Sequence, residues 1–279
     1  MATAGRETSG AVAAEQGTNQ SLERAAAVLR AFSLGSPELK VAEVARRAGL
    51  GVSSTSRLLA SLEALDFVER DRDTGLYRLG AGLITLAGAA VNQNPVHYAA
   101  RMVAQQLAAR LGLGANVAIR RGHGVFYLCN FEGSQAPKGY SLLGQQNPLH
   151  ATGLGKCLLT GLDGDTRRAL LDEPFPAYTE NTITGHDDLD RELSEVARRG
   201  YAIEREELAL ARACLAAPIR GSSGAVVAAL SVNGPLSAID LDRRETELAA
   251  SVIEAADSIS VSLGYLGPQQ SVARVAARS

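Results

Sequence analysis

Apolar residues recur at every third or fourth position in the first part of the chain, and this period predicts three short helices. The patterns cover Ser21–Phe32, Val41–Ala48 and about Ser53–Leu65. Gly49-Leu50-Gly51 separates the second pattern from the third and predicts a tight turn between them. Each predicted helix has one apolar face, which it must bury against the others.

The period changes after Asp66, where two short strand-like runs begin. Phe67–Arg70 and Leu76–Leu79 flank a loop that carries Gly75, and this arrangement predicts a hairpin. Three short helices with a tight turn between the second and the third, followed by a small hairpin, are typical of a winged helix-turn-helix. A further apolar pattern over residues 81–94 predicts a helix that links this module to the rest of the chain.

From Pro95 onward, helix-like and strand-like patterns alternate. The predicted helices are Tyr98–Leu111, Gly153–Leu162, about Leu189–Ala197 and Leu241–Leu263. The predicted strands are Ala115–Arg120, Val125–Phe131, Cys214–Ile219 and Val226–Val232. A strand-rich middle between helices predicts an α+β fold with one mostly antiparallel sheet.

These patterns predict five consecutive segments. They are a disordered leader over residues 1–19, a winged helix-turn-helix domain over 20–80, a linker helix over 81–94, a second domain over 95–266 and a disordered tail over 267–279. The leader and the tail are predicted to be disordered because small and polar residues dominate there without an apolar period.

Composition and charge exclude several classes of protein. With 46% hydrophobic and 21% charged residues, the 279-residue chain is not expected to be disordered throughout. It has no run of about 18 apolar residues, so no membrane span is predicted. A formal net charge of -2 means that any contact with nucleic acid is local. Cys129, Cys157 and Cys214 are odd in number and widely spaced, which favours a reducing, cytoplasmic environment over a disulfide framework.

The third predicted helix buries its leucines and leaves serines and one arginine on the opposite face. Hydroxyl groups reach phosphates or base edges at low steric cost, and an arginine can donate two hydrogen bonds to the edge of one guanine. Between Lys40 and Arg57 the cations outnumber the single acid Glu43, and further arginines lie on the hairpin. The candidate DNA-binding residues are Ser53, Ser54, Ser56, Arg57, Ser61, Lys40, Arg46, Arg47, Arg72 and Arg78. The alternative is that the helices form a dimerisation bundle whose arginines are merely solvated.

Nine segments carry a likeness to a known family in one consistent order. They are Ser21–Ala25, Val44–Leu50, Thr55–Leu59, Val68–Asp71, Tyr77–Gly80, His150–Lys156, Arg199–Ala202, Cys214–Ile219 and Ala229–Pro235. In these segments the chain resembles the IclR-type bacterial transcription regulators, and the resemblance covers roughly residues 20–266.

The resemblance implies a linker helix used in dimerisation and a second domain that is similar to GAF/PAS-type sensors and binds an effector. It also implies a homodimer or homotetramer that binds palindromic operators in double-stranded DNA, with small organic acids or aromatic catabolites as effectors. Two positions depart from the family pattern. Gly51-Val52 stands where Pro-Lys is frequent, so one phosphate-directed cation is missing. Asp66 stands where glycine often ends the helix, and Asp tolerates a left-handed backbone better than most residues.

The second domain contains a predicted helix start at Gly153–Lys156, where free N–H groups and the helix dipole favour a carboxylate. By the family resemblance, the effector-binding residues are Gly153, Leu154, Glu204, Cys214, Ser231 and Asn233. Ser231 and Asn233 alternate on one predicted strand and therefore share a face of the sheet. Glu204 either lines the pocket or lies on an exposed loop, and Lys156 either serves a ligand carboxylate or lies at the surface.

Cys214 and His150 could form a nucleophilic pair, but the sequence offers no third group to orient the histidine. The sequence therefore predicts that Cys214 lines the pocket or belongs to the apolar core. The histidines and cysteines lack the close paired spacing of a structural metal site. We therefore expect no catalytic residue, no metal and no cofactor. A ligand-responsive transcription regulator is the leading hypothesis. An enzyme with an appended DNA-binding module and a dimeric scaffold without a ligand are the alternatives.

Overall fold

A computed structural model describes residues 20–136, 139 and 141–267. The predicted leader over residues 1–19 and all but the first residue of the predicted tail lie outside the described residues. The chain divides into two compact units between Ala90 and Val91. Within the described part, no helix combines the length and the apolar character needed to cross a membrane.

Residues 20–80 of the first unit form three helices and a hairpin, which confirms the predicted winged helix-turn-helix. Its elements are α1 over residues 20–30, α2 Val41–Ala48, α3 Val52–Ala64, β1 Val68–Arg70 and β2 Tyr77–Leu79. One apolar core joins these elements, because each helix turns its apolar stripe inward. Its buried members include Val28, Val44, Leu59, Leu62, Val68 and Tyr77.

A residue with a left-handed backbone follows each of the helices α2 and α3. Gly49 ends α2 at φ 66°, and the Leu50 N–H donates to the Ala45 carbonyl at 2.9 Å, which closes the turn. Asp66 follows α3 at φ 58°, as predicted for this position. The carbonyl of Asp66 then accepts from the Gly82 N–H at 2.9 Å and fixes the start of the next helix.

The linker pattern forms a continuous helix, α4 Ala81–Gln93, in which no residue is buried. The next helix, α5 Pro95–Leu111, begins three residues before its predicted start at Tyr98. Asn94 explains the difference, since its Oδ1 accepts from the N–H groups of Val96 and His97 at 3.0 and 3.1 Å. Asn94-Pro95 therefore starts this helix as N-cap and first residue.

The second unit is an α+β fold with one six-stranded antiparallel sheet, as predicted. The strands are β3 Gly114–Arg121, β4 Gly124–Phe131, β5 Gln146–Pro148, β6 Ala202–Arg205, β7 Arg212–Arg220 and β8 Val226–Pro235, in the spatial order β5-β4-β3-β8-β7-β6. The remaining helices are α6 Gly153–Leu159, α7 Gly164–Leu170, α8 His186–Arg199, α9 Leu236–Ile239 and α10 Leu241–Ser262.

The sheet has two different faces because successive side chains of a strand point to opposite sides. One face carries residues such as Val117, Leu215 and Leu230 and belongs to the core that includes α5 and α10. The other face carries Ala216 and Ala229 and belongs to the core that includes α6 and α8. Small residues on this second face leave room beside α6, and the predicted effector residues lie there.

Four short elements were not predicted: β5, α7, β6 and α9. Glu204 lies on β6 and pairs with Cys214 on β7, so the interpretation of this residue as part of an exposed loop is wrong. A four-residue strand that carries two charges has too few positions to establish an alternating pattern. Helix α6 ends at Leu159 rather than Leu162, and the Thr160 hydroxyl donates back to the Cys157 carbonyl at 2.7 Å.

Candidate functional site

Helix α3 turns a polar side away from the core of the first unit. Ser53, Ser56, Arg57 and Ser61 are exposed, whereas Leu59 lies in the core with no exposed surface. Ser53, Arg57 and Ser61 are spaced by four residues, so they form one stripe along the helix. Ser54 is half-buried at the edge of this stripe. The Ser61 hydroxyl donates to the Arg57 carbonyl at 3.1 Å.

The other predicted cations of this unit differ in what they contact. Lys40 and Arg72 are exposed, whereas three arginines have partners in the unit. Arg46 pairs with Glu43 at 2.6 Å, and Arg78 donates twice to Glu69 at 2.8 and 2.9 Å. Hydrogen bonds from Arg46 and Arg47 lower the pKa of Glu43 to about 2.

Arg47 is held by three groups of its own unit. Its guanidinium donates to the Ala31 carbonyl at 3.1 Å, to the Ser36 hydroxyl at 3.0 Å and to Glu43 at 2.8 Å. These contacts tie α2 to the end of α1. Among the predicted arginines, Arg57 and Arg72 make no side-chain hydrogen bond or ion pair with the residues that the structure describes.

Four of the six predicted effector residues lie on adjacent strands, in two neighbouring rows of the sheet. Strand register aligns Gly114 with Asn233, Asn233 with Cys214, and Cys214 with Glu204. Two residues further along the strands, Ser231 pairs with Asn116 on one side and with Ala216 on the other. Alternation therefore brings two polar rows to the same face of the sheet, next to the start of α6.

These rows form the floor of a cavity of about 240 Å³. Its lining residues are Asn116, Tyr127, Leu142, Asn147, Thr152, Leu154, Glu204, Leu208, Ala209, Arg212, Ala213, Cys214, Ser231 and Asn233. Five of the six predicted effector residues are among them. The sixth, Gly153, lies directly behind Cys214, because a Cβ at Gly153 would stand 2.8 Å from the Cys214 Sγ.

Glu204 brings a carboxyl group to the wall of this cavity. Its Oε1 accepts from the N–H groups of Glu207 and Leu208 at 2.7 and 3.3 Å. Burial raises the pKa of Glu204 despite these hydrogen bonds. Burial, and then the charge of Glu204, raises the pKa of the Cys214 thiol well above its usual value. Cys214 is therefore a protonated wall residue and a poor nucleophile.

His150 does not form a pair with Cys214. Its Nε2 lies 2.9 Å from the Pro176 carbonyl, and its ring packs against Phe175 and Tyr178. Burial lowers the pKa of His150, in keeping with a neutral ring that packs in an apolar setting.

The start of α6 is already occupied by groups of the protein. The Gly155 N–H donates to the Thr152 hydroxyl at 3.0 Å, so Thr152 is the N-cap of this helix. The N–H of Gly153 faces the sulfur of Cys214. The start of α6, where the sequence predicts a site for a carboxylate, therefore has fewer free N–H donors than the sequence indicates.

Lys156 is buried, so both sequence interpretations of this residue are wrong. Its Nζ donates to Glu207 Oε1 at 2.5 Å and to the Ile203 carbonyl at 3.0 Å, and it lies 3.7 Å from Glu192 Oε1. Lys156 thus joins α6 to β6 and α8 as the counter-ion of the buried Glu207 and the half-buried Glu192. It is neither at the surface nor turned toward the cavity.

Sequence reasoning missed several polar residues of the cavity. Asn147 Nδ2 donates to the Tyr127 hydroxyl at 2.9 Å, and Asn130 Nδ2 donates to Asn116 Oδ1 at 2.8 Å. Arg212 stands two residues before Cys214 on β7, so strand alternation could have placed it on the same face. Asn116 is a single amide in an otherwise apolar run, which is also a usable signal.

A helix-turn-helix with an exposed serine and arginine stripe, joined to a second unit with a polar cavity, defines the class of ligand-responsive transcription regulators. Two family models match the chain. "IclR helix-turn-helix domain" matches residues 21–72, and "Bacterial transcriptional regulator IclR C-terminal" matches residues 88–261. The chain belongs to the IclR family of bacterial transcription regulators.

Individual relatives agree with this assignment. The chain is 30% identical to the HTH-type transcriptional repressor AllR of Escherichia coli strain K12, over 88% of this chain and 90% of AllR. It is similar to the crystal structure of an IclR transcriptional regulator from Alicyclobacillus acidocaldarius, with a TM-score of 0.77, 31% identity and coverage of 88% and 99%. An IclR homologue from Microbacterium hydrocarbonoxydans, complexed with 4-hydroxybenzoate, gives a TM-score of 0.77 and 26% identity over 87% of this chain and 98% of that chain.

Proposed function

We propose that this regulator binds a palindromic operator in double-stranded DNA through the exposed stripe of α3. The observation that carries the proposal is the position of Arg57, which is exposed, has no partner in the described part of its unit and lies opposite the buried Leu59. Ser53, Ser56 and Ser61 flank it with hydroxyl groups that suit phosphates. Lys40 and Arg72 supply further backbone contacts. Arg46, Arg47 and Arg78 contribute less, since each already has a partner.

The cavity of the second unit binds a small organic acid or an aromatic catabolite, which changes the affinity for the operator. A volume of about 240 Å³ suits a metabolite of a few carbon atoms up to one aromatic ring. The relative from Microbacterium hydrocarbonoxydans carries 4-hydroxybenzoate, a molecule of this size and class. An effector alters operator affinity only if it binds two states of the protein unequally.

The functional assembly is a homodimer or a dimer of dimers. Helix α4 supports this part of the proposal, because it carries Leu83, Ile84, Leu86 and Val91 and none of its residues is buried. An apolar helix without a buried side is stabilised by a partner helix, and a second copy supplies it. Two-fold symmetry of the protein then matches the two-fold symmetry of a palindrome.

The chain is not an enzyme and acts in the cytoplasm. The protonated Cys214 and the packed His150 argue against a nucleophilic pair at the cavity. Cys129, Cys157 and Cys214 are buried as free thiols, which suits a reducing compartment.

Replacing Arg57 tests the proposed DNA contact. We expect Arg57→Ala to weaken binding to an operator selected from a random DNA library by about 10-fold to 100-fold, because a base-reading arginine is lost. If Arg57 contacts phosphate instead, the slope of log K against log salt concentration falls by about 1. The measurement is fluorescence anisotropy at several salt concentrations.

Arg243→Ala is the matched control, since Arg243 is an exposed arginine on α10, outside both candidate sites. Its operator affinity should equal that of the parent protein. Unchanged affinity and salt slope for Arg57→Ala, with an unchanged melting temperature, would overturn the assignment of α3 as the DNA-reading element.

A further inference from the structure

Arg212 brings a positive charge to the effector cavity. Ala211, immediately before it, has a left-handed backbone at φ 58°, and β7 begins at Arg212 itself. Arg212, Cys214 and Ala216 alternate along β7, so their side chains share the cavity face. Arg212 lines both the cavity of about 240 Å³ and a neighbouring cavity of about 180 Å³. No carboxylate in the described part of the chain forms an ion pair with its guanidinium.

Asn233 adds a hydrogen-bond donor that lacks a partner. Its Nδ2 is buried and makes no hydrogen bond within the described residues. Asn233 also lines both cavities. Gly114 makes space for this amide, because a Cβ at Gly114 would lie 2.8 Å from Asn233 Oδ1 and 3.0 Å from Nδ2. A buried amide without a partner is costly unless a ligand supplies the acceptor.

The charges around the cavities give a bound molecule one orientation. Glu204 lies in the wall of the first cavity, and Glu132 lies in the wall of the second, where its Oε1 accepts from the Gly139 N–H at 3.2 Å. A ligand carboxylate is repelled from both acids. Arg212 and Asn233 stand where the two cavities adjoin, so the favourable position for a negative group lies between the acids.

We propose that Arg212 and Asn233 form a carboxylate subsite at the junction of the two cavities. The effector then carries a single carboxylate at this end and an uncharged hydrogen-bonding group at the other, which faces Glu204 and Ser231. The Arg212 guanidinium donates two parallel hydrogen bonds to the carboxylate, and the Asn233 amide donates a third. This inference rests on the proposed effector function and adds the residue that selects an anion. A phosphate ester is disfavoured because its second charge adds to the repulsion from Glu204 and Glu132.

The first experiment compares acids with their neutral amides. The probe pairs are benzoate and benzamide, 4-hydroxybenzoate and 4-hydroxybenzamide, and lactate and lactamide, with phenyl phosphate and inorganic phosphate as further probes. A ligand that binds only the folded state raises the melting temperature. We expect at least one acid to raise the melting temperature of the full chain and its amide to fail at equal concentration. Stabilisation by amides or by the phosphates alone, or by none of the acids, would overturn the subsite.

The second experiment replaces the cation. With the acid that binds, Arg212→Gln should raise the Kd by about 10-fold to 100-fold, as expected for the loss of a charge-assisted hydrogen bond. Arg212→Lys keeps the charge but cannot donate two parallel hydrogen bonds to the carboxylate. Its Kd should therefore lie between those of the parent protein and of Arg212→Gln. Arg243→Gln is the control and should bind the acid as the parent protein does. An unchanged Kd in Arg212→Gln would overturn the proposal.

The outcomes separate this inference from the function on which it rests. If a neutral compound binds and shifts operator affinity, the regulator function stands and the carboxylate subsite falls. If an acid binds through Arg212 and leaves operator affinity unchanged, the subsite stands and the effector function falls.

Discussion

Glu207 places a carboxyl group in the interior of the second unit, behind the cavity wall. Its Oε1 accepts from Lys156 Nζ, and its Oε2 has no hydrogen-bond partner in the described part of the chain. Burial raises the pKa of Glu207 from its usual 4.5 to about 6, although the nearby ammonium group of Lys156 opposes this. The folded protein therefore holds this proton at a higher pH than the unfolded chain does.

The raised pKa of Glu207 makes stability depend on pH. Because the folded state binds more protons between the two pKa values, the free energy of unfolding falls as pH rises through about 6. The contribution of this one group amounts to about 2 kcal/mol between about pH 4 and pH 7. The measurement is urea unfolding of the parent protein and of Glu207→Gln across this pH range, followed by circular dichroism.

The stability difference, parent protein minus Glu207→Gln, should decline with rising pH. Glu180→Gln, at an exposed position, serves as the control and should run parallel to the parent protein. A difference for Glu207→Gln that is flat or rises with pH would contradict this origin of the pH dependence.

At the scale of single residues, the sequence indicated which residues line the cavity better than it indicated what surrounds each side chain. Ser231, Asn233 and Cys214 were placed at the pocket by family resemblance, and they line a cavity. Lys156 was expected at the surface or at a ligand, yet it is buried, because acids on α8 and just after β6 lie next to it. No pattern near Lys156 in the chain contains those acids, since Glu192 and Glu207 lie 36 and 51 positions later.

At the scale of elements, helix α6 depends on one close approach of two backbones. A Cβ at Gly155 would lie 2.0 Å from the Leu149 carbonyl oxygen, which belongs to the segment just before the helix. Neither partner can rotate away, because both are main-chain groups. Glycine at this position is what allows α6 to lie against the sheet and to form one wall of the cavity.

We expect Gly155→Ala to lower the free energy of unfolding by about 3 kcal/mol, since the helix must shift to relieve the overlap. For a unit of this size, that corresponds to a fall in melting temperature of roughly 6 to 12 °C. Differential scanning calorimetry checks it.

Gly164→Ala is the matched control at the start of α7. Its Cβ would meet the end of the Arg168 side chain at 3.0 Å and that of the Arg167 side chain at 3.9 Å, and no backbone atom. This variant should be as stable as the parent protein or more stable by about 0.5 kcal/mol. Equal melting temperatures for the two variants would show that the close approach at Gly155 does not affect the stability of the protein.

Long periodic elements were predicted well and short ones were not. Helix α2 has the predicted bounds, and α10 differs by one residue at its end. In contrast, β5 and β6 have only three and four residues, and tertiary pairing with β4 and β7 decides that they are strands. The start of α5 was misplaced because Asn94-Pro95 was interpreted as the end of one helix, whereas it also caps the next.

At the scale of the whole molecule, one coupling free energy links the binding of the effector to the binding of the operator. If an effector changes operator affinity by some factor, the operator must change effector affinity by the same factor. We expect this factor to be about 5-fold to 150-fold, the usual range of coupling between two binding sites.

The measurement is isothermal titration of the stabilising acid into the protein with and without a saturating operator. The ratio of the two Kd values should equal the ratio of operator Kd values measured with and without that acid. A scrambled duplex of equal length controls for non-specific DNA. Unequal ratios would mean that the binding scheme lacks a state, such as a change in oligomeric state.

The sequence alone determined the winged helix-turn-helix, the α+β class of the second unit and the family, because these follow from local period, turn residues and motif order. The tertiary structure decided the cavity. Asn116, Glu204, Arg212 and Asn233 come from four strands, and the order β3-β8-β7-β6 brings them into three neighbouring rows on one face of the sheet. Register between strands far apart in the chain results from packing on both faces of the sheet, and no local pattern encodes it.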